Sequence, residues 1–493
     1  FKAREVSERQ LGINCAACHT ANLKYEDKAA GTTKLIRIDD GQGFVDIQKF
    51  FDDMDAAVEE TVRNKTKLDR MVSTIMSWGK DFGNADSLKA EFNKLVNERR
   101  AWQKINKSSF IAGPGRVDAF SIIFNQVLSR YLRIPSNHRE PVNPVSFPVV
   151  WDGPHHDYVQ WNGLASNDPA NGGPLARNSG EVLGVFGSIN FHDQTLGLDG
   201  YCSTVRRYGL EELERWLTTL TSPKWPTEVL GDIDQVKVAR GRKLFESTCL
   251  KCHTNIVERN DPSTVVDSTN SNRLIKATLV RTGTVGTDPK FNENALSWEA
   301  DTGLLEGRKS RVKEGRPLEK REPAVIVLKH AVAGAMIGSI SPLTCSNSIE
   351  APNEKILEKW SSIAGKLLEG PSAPKPDDNP DKAKRTEALV KTLDVYKARP
   401  LNGIWSSAPF LHNGSVKSIY ELLLPPERRA KSFYTGCEKF DKEKVGIDCS
   451  KDDKGVTLYD ARLKGNKPMG HKFGTRQFSD EDRMDLVEYI KSL

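Results

Sequence analysis

The amino-acid sequence predicts a mainly α-helical protein of two like modules, with long loops and one inserted helical segment. Three observations predict it. The pentapeptides Cys15-Ala16-Ala17-Cys18-His19 and Cys249-Leu250-Lys251-Cys252-His253 repeat one pattern in the two halves of the chain. An amphipathic run leads into each, Val238 to Glu246 before the second and, with a weaker pattern, Glu5 to Leu11 before the first. Pro223 and Pro226 close a helical run from Gly209 to Leu220 and mark a boundary, which gives modules 1–225 and 226–493. A chain of 493 residues is too long for one ordinary core, so its length agrees with this division.

The chemistry of the pentapeptide is specific. Two thiols three positions apart on one helical turn lie on nearly the same face, and each can form a thioether to a porphyrin vinyl group. The adjacent histidine then sets an imidazole nitrogen beneath the iron. A zinc site would need further thiol or imidazole ligands at each cluster, and a thiol–disulfide pair needs no neighbouring histidine. The sequence therefore predicts two covalently bound c-type haems, one on Cys15, Cys18 and His19, the other on Cys249, Cys252 and His253. Each module is expected to be a cytochrome c-like haem domain, with Leu11 and Phe245 against the haem edges. Covalent haem attachment implies export, so a periplasmic or secreted bacterial location is expected, with the chain from Phe1 a processed or trimmed form.

The elements follow in chain order. Residues 20–45 are polar and contain glycine, and they read as irregular. From Val45 to Ile105 apolar residues recur at helical spacing, Phe50, Met54, Val58 and Val62 among them, which predicts an inserted helical segment at about 45–105. Residues 139–180 are rich in Pro, Gly, Asn and Trp and read as a long ordered loop, a feature often tied to function. Ala324 to Ile340 is apolar but interrupted by Lys329 and His330, too short to cross a bilayer, and reads as a buried helix or strand with His330 a satisfied core histidine. Residues 369–385 read as a solvent-exposed excursion. Ser479-Asp480-Glu481-Asp482 opens a final helix with Met484, Val487 and Ile490 on one face.

Four cysteines remain. Cys437 and Cys449 bracket a short polar loop whose bridging contributes about 3 kcal/mol in the chain-entropy model. Cys202 and Cys345 are left as a second pair in an oxidising compartment, with nothing local to support it. The formal charge of +6 is spread without a dense basic block, which argues against nucleic-acid binding, and no stretch reads as a membrane span.

Further motifs make the chain resemble the bacterial di-haem cytochrome c peroxidase superfamily, which includes the methylamine-utilisation di-haem enzyme and the haem rubber oxygenases. Arg399-Pro400-Leu401-Asn402-Gly403-Ile404-Trp405, followed by Ala408-Pro409-Phe410-Leu411-His412-Asn413-Gly414-Ser415, is similar to the superfamily segment ending in A-P-[YF]-x-H-[ND]-G. Trp151-Asp152-Gly153, followed by Gly173-Pro174-Leu175-Ala176-Arg177-Asn178 and Glu181, resembles the W-D-G and G-P-x-x-x-x-x-E region. The spacing from Trp151 to Glu181 is longer than in the peroxidases. Gly286-Thr287-Asp288-Pro289 and the full Arg399–Trp405 wording look closest to the rubber-oxygenase-like branch.

The resemblance implies roles. Trp151 would pass electrons between the haems, and Glu181 would handle protons beside the N-terminal haem. His471 would be the distal ligand of the C-terminal haem, with Met469 as its rival, and His412 would line the haem region as a hydrogen-bonding residue. For the N-terminal iron, His138, His155 and His156 are the nearby histidines and nothing selects among them, so this iron is expected to be open or weakly ligated. His192 has no assigned role. A calcium ion between the modules is a further cofactor the resemblance allows.

The function expected is a di-haem oxidoreductase of the peroxidase type. It would take electrons from a small donor protein such as a cytochrome or cupredoxin and pass them to peroxide or O₂. The alternatives are a haem-dependent dioxygenase acting on an apolar polyisoprene-like substrate, and a pure electron carrier with both irons six-coordinate.

Overall fold

Asp234 starts the helix Gln235–Thr248 by accepting hydrogen bonds from the amides of Val236 and Lys237. This helix runs directly into the second pentapeptide and crosses the C-terminal helix Asp480–Lys491, which opens with a Ser479/Asp482 capping box. Gly241 sits at the crossing, where a Cβ would lie 2.0 Å from the carbonyl oxygen of Asp485. Only the absence of a side chain there lets the backbones approach so closely. Arg240 clamps the pair by donating to both carboxylate oxygens of Asp485 at 2.6 and 2.7 Å, and Phe245 packs on Tyr489 with ring centroids 5.2 Å apart. The helix expected before the second haem turn is therefore present, and Phe245 is buried.

The computed structural model describes residues 13–27, 30–79, 83–168, 172–192, 200–254, 265–266, 274–310, 315–338 and 382–493. Glu5 to Leu11, Cys345 and nearly all of the 369–385 excursion lie outside the described residues; from 382 the chain is the helix Lys382–Leu393.

Helices dominate, and every sheet among the described residues has two strands. The inserted segment is three helices, Ile47–Arg63, Lys65–Ser77 and Ala85–Asn106. The buried stripe of the first is not the one the sequence predicts. Phe50 is exposed, while Ile47, Phe51 and Asp55 face inward. Phe51 packs against Trp102, and Arg99 lies over both rings while donating to both oxygens of Asp55 at 2.6 and 3.0 Å. A buried carboxylate on this stripe hides it from any count of apolar residues.

Two loop assignments need correction. Residues 20–45 contain an antiparallel hairpin, Thr20–Asp27 with Thr32–Asp39, closed through Gly31 at φ +63°. Ala21, Leu23 and Ile38 point into the core, so an alternation short enough to pass as loop fixes the pairing. Residues 139–168 hold short strands and turns, but the helix Gly173–Val185 follows, with proline in its first turn. Glu181 is thus a helical residue.

Ala324–Gly338 is a helix, buried along nearly its whole length. His330 on it is satisfied as expected, one ring nitrogen against the Tyr201 hydroxyl at 2.8 Å and the other against the Lys309 carbonyl at 3.1 Å. Among the described residues, no helix is long and apolar enough to cross a membrane. The Cys437–Cys449 disulfide is present. Cys202 is also disulfide-bonded.

Both large cores draw on residues from either side of Trp225. One joins Ala21, Leu23, Ile38 and Trp151 to Phe245, Trp405, Phe440 and Tyr489. The other joins Phe124, Leu183 and Tyr201 to Trp298, Val327 and Leu393. Cys249 packs against the first of these cores, and Cys18 against a smaller cluster of Ile47, Phe51, Trp102 and Phe147.

Candidate functional site

The two pentapeptides have the same local geometry. The amide of Cys18 donates to the Cys15 carbonyl at 3.2 Å and that of His19 to the same carbonyl at 3.0 Å; the amides of Cys252 and His253 donate to the Cys249 carbonyl at 3.0 and 2.9 Å. One turn of this kind puts both thiols and the imidazole on one side. None of the four is in a disulfide, and burial pushes the thiols of Cys18 and Cys249 up to about 11.

Each histidine is oriented by a backbone carbonyl. His19 Nδ1 meets the Pro148 carbonyl at 2.9 Å, and His253 Nδ1 meets the Arg399 carbonyl at 2.8 Å. A ring N–H donated to a carbonyl fixes the tautomer and leaves Nε2 as the free ligand atom. Burial lowers the pKa of both rings, which keeps them neutral and ready to ligate. These residues fit a covalently held haem at each turn.

The far sides of the two turns differ. His471 faces His253 with ring centroids 6.1 Å apart. Two imidazoles on opposite faces of one metal ion stand roughly 6 Å apart, from about 2 Å per metal–nitrogen bond and about 1 Å from each nitrogen to its ring centre. His253 and His471 could therefore hold one iron between them. Burial, with help from His253 and Arg429, lowers His471 to about 3. Met469, the rival, is 40 % exposed. Among the described residues, the ring beside His19 is Phe147 at 6.4 Å.

Arg429 sets the position of His471. Its guanidinium gathers five carbonyls: Pro468 at 2.7 Å, Gly470 at 3.0 Å and His471 at 3.1 Å on the ligand loop, and Leu422 and Leu424 on the neighbouring turn. Gly470 lies at φ +74°, where a Cβ would fall 2.1 Å from the carbonyl carbon of Gly286, and His471 itself is left-handed at φ +47°. Sequence reasoning missed Arg429, because a cation that binds only carbonyls leaves no partner to find in the sequence.

The remaining candidates are placed as follows. Trp151 is 1 % exposed, donates from Nε1 to the Asn402 carbonyl at 3.2 Å, and has the Arg399 guanidinium 6.0 Å from its ring centre. Glu181 keeps solvent-accessible surface on the helix Gly173–Val185, with protein atoms crowded around it. Its carboxyl pKa is raised, chiefly by burial, with Arg177 opposing and Glu214 adding; Gln160 donates to it at 3.4 Å. Its charge is felt at the Cys15 thiol, whose pKa burial raises first and Glu181 next.

His412 is buried, stacked on Tyr396 at 4.3 Å and bonded to the Tyr396 hydroxyl at 3.2 Å, with burial lowering it to about 3. His138 and His192 are exposed, and His155 is bonded to the Thr218 carbonyl at 3.0 Å. His156 is buried beside Lys397 and Arg399. Among the described residues, no group of three or more His, Cys, Asp or Glu gathers as a metal site, and the expected calcium gains no ligand set there.

Comparison with known proteins agrees with a cytochrome at this site. The family described as RoxA-like, cytochrome c-like matches residues 395–434, the stretch that carries Arg399, Trp405, His412 and Arg429. The uncharacterized protein y4iJ of Sinorhizobium fredii is 27 % identical over 98 % of this chain and 77 % of its own length. The uncharacterized protein y4iM of the same organism is 32 % identical over 22 % of this chain and 29 % of its own length. The C-terminal region is thus cytochrome c-like, which implies covalent haem c and a haem-related oxidoreductase role.

Proposed function

We propose that the chain is a di-haem c-type oxidoreductase of the exported bacterial kind, in which one iron relays electrons and the other meets the oxidant. The observation that carries this reading is the unequal surroundings of the two pentapeptide histidines. His253 has a second imidazole 6.1 Å away, and His19 has a phenyl ring beside it. When bound, the two haems would supply one-electron transfer at the C-terminal site and O–O bond cleavage at the N-terminal site.

The chain's own residues divide the remaining work. His253 and His471 would together hold the iron of the C-terminal haem and leave it closed to small molecules. His19, fixed by Pro148, holds the N-terminal site from one side. Glu181 holds a proton on its carboxyl group more readily than a free glutamate does, because the protein crowded around it raises its pKa, and its charge is felt at Cys15. Trp151 provides an oxidisable ring on the segment that carries Pro148, with the Arg399 guanidinium over it. A small donor protein, a cytochrome or cupredoxin, would deliver electrons, and peroxide is the oxidant in this reading.

A second reading has one specific observation in its favour. The match at 395–434 is to RoxA-like proteins, which favours O₂ and an apolar polyisoprene-like substrate over peroxide.

A redox-titrated electronic spectrum tests the shared claim, with one low-spin and one high-spin haem expected. Two low-spin haems in every redox state would leave an electron carrier. Peroxide consumption separates the enzyme readings. Glu181→Gln should slow it by about 10²-fold if the carboxyl is the acid–base group, and an unchanged rate removes Glu181 from that role. A stable O₂ adduct with negligible peroxide turnover would favour the oxygenase.

A further inference from the structure

Two half-buried cations, Lys397 and Arg399, lie close together beside residues from both halves of the chain. Lys397 is in the strand Val395–Ala398 and Arg399 follows it, so along extended chain the two occupy alternate positions on one face. Lys397 Nζ donates to the Tyr158 carbonyl at 3.0 Å. The Arg399 guanidinium stands over Trp151, and its Nε is buried with no hydrogen-bond partner.

Their electrical surroundings are one-sided. Burial pulls Lys397 down to about 7, and Arg399 lowers it further while Asp157 opposes. Burial likewise pulls Arg399 down to about 10, with Asp152 opposing. Asp157 is engaged with the Ala277 amide at 2.9 Å and Asp152 with the Ser222 amide at 3.2 Å. Arg177 adds a third positive charge nearby, but Glu214 is its partner. Among the described residues, no carboxylate forms an ion pair with Lys397 or Arg399. A buried cation is tolerated when an anion reaches it.

The placement names the anion. The carbonyl of Arg399 itself holds His253, so the cation pair belongs to the segment that orients the C-terminal proximal histidine. We propose that Lys397 and Arg399 form an anion site for the propionate carboxylates of the haem held by His253, an inference that rests on the di-haem reading above. The pair fixes the rotation of the porphyrin about its thioether edge. It also biases the iron toward its reduced state, since an added electron is stabilised by positive charge in a medium of low dielectric constant.

The test uses the full-length holoprotein with Lys397→Gln, Arg399→Gln and the charge-retaining Arg399→Lys. Haem per chain is measured after denaturation, and each haem is then titrated potentiometrically. Lys397→Gln and Arg399→Gln should each shift the low-spin haem toward its oxidised state by about tenfold, or 59 mV for a one-electron couple. Arg399→Lys should hold near the parent value. Unmoved potentials at full haem content would overturn the proposal, and so would a shift confined to the high-spin haem. Should Arg399→Gln fail to fold, Lys397→Gln decides alone. A parent protein carrying no haem would overturn the di-haem reading itself, which the haem count separates from failure of the anion site.

Discussion

Replacing His471 by alanine should convert one of the two haems from low-spin to high-spin and leave the other unchanged. The expected size of the effect follows from the geometry. The 6.1 Å between the His253 and His471 ring centres is the span of one iron with two imidazoles, so removing one ring empties a whole coordination position. The backbone has separate anchors, since the His471 amide donates to the Val285 carbonyl at 2.7 Å and Arg429 holds its carbonyl at 3.1 Å. Alanine suits φ +47° somewhat less well than histidine, but these backbone anchors hold the loop where it is. With the N-terminal haem already high-spin, the low-spin half of the haem should then disappear from electronic and paramagnetic resonance spectra, leaving both haems high-spin. Added imidazole should restore the low-spin form, and His471→Met should restore it at a higher potential, since Met/His ligation raises the potential of a c-type haem. Met469→Ala should be silent, because that side chain is 40 % exposed. A low-spin band that survives His471→Ala and vanishes in Met469→Ala would refute the assignment.

Three further outcomes are expected. Arg429→Lys removes the fork that gathers the carbonyls of Pro468, Gly470 and His471. A hydrogen bond to a charged group is worth about 1.5–3 kcal/mol, so loss of even one should raise cyanide affinity at the C-terminal haem by about tenfold, read by spectral titration. Gly241→Ala places a methyl group 2.0 Å from the Asp485 carbonyl oxygen and forces the two helices apart, at a cost of about 1–3 kcal/mol in thermal unfolding of the holoprotein. His330 gives a pH dependence. Burial lowers it to about 4, against an ordinary 6.5, so between those values the unfolded chain binds a proton that the folded chain refuses. Its contribution is whole above pH 6.5 and is lost as pH falls toward 4, about 3 kcal/mol at most. His330→Gln should flatten the fall in melting temperature over that window, and an unaltered slope would place the acid sensitivity elsewhere.

What the sequence made legible was chemistry with a fixed local spacing. Cys15, Cys18 and His19, and Cys249, Cys252 and His253, stand out as two like turns because each set is contiguous in the chain. The helix before Cys249 and the capped C-terminal helix could be named because their signals lie within a few residues. Their contact through Gly241 could not, because a glycine is explained only by the backbone that approaches it. His471 was reached through resemblance, since nothing near it in the chain says which imidazole it faces. Pro148 and Arg399, the carbonyls behind the two proximal histidines, were out of reach for the reason Arg429 was: every residue has a carbonyl, so an acceptor of this kind leaves no mark on composition. The hairpin at Thr20–Asp39 leaves only a faint alternation in the sequence, because its buried face rests on Ala21, Leu23 and Ile38 alone.

Those two carbonyls bear on the proposed relay. Pro148 is three residues before Trp151 in the same segment, and Arg399 holds its guanidinium over the Trp151 ring while its carbonyl holds His253. The backbone groups that orient the two proximal imidazoles thus belong to the two segments that enclose one tryptophan. Such an arrangement couples orientation to electron passage. Any movement that separates the segments loosens both histidines and moves the ring at once, whereas a tryptophan packed elsewhere in the core would have no such connection. This argues for Trp151 as the relay over Trp225 and Trp405. Those two pack on each other at 5.3 Å, and their ring nitrogens donate to the carbonyls of Gly231 and Pro223, away from the segments that hold either histidine.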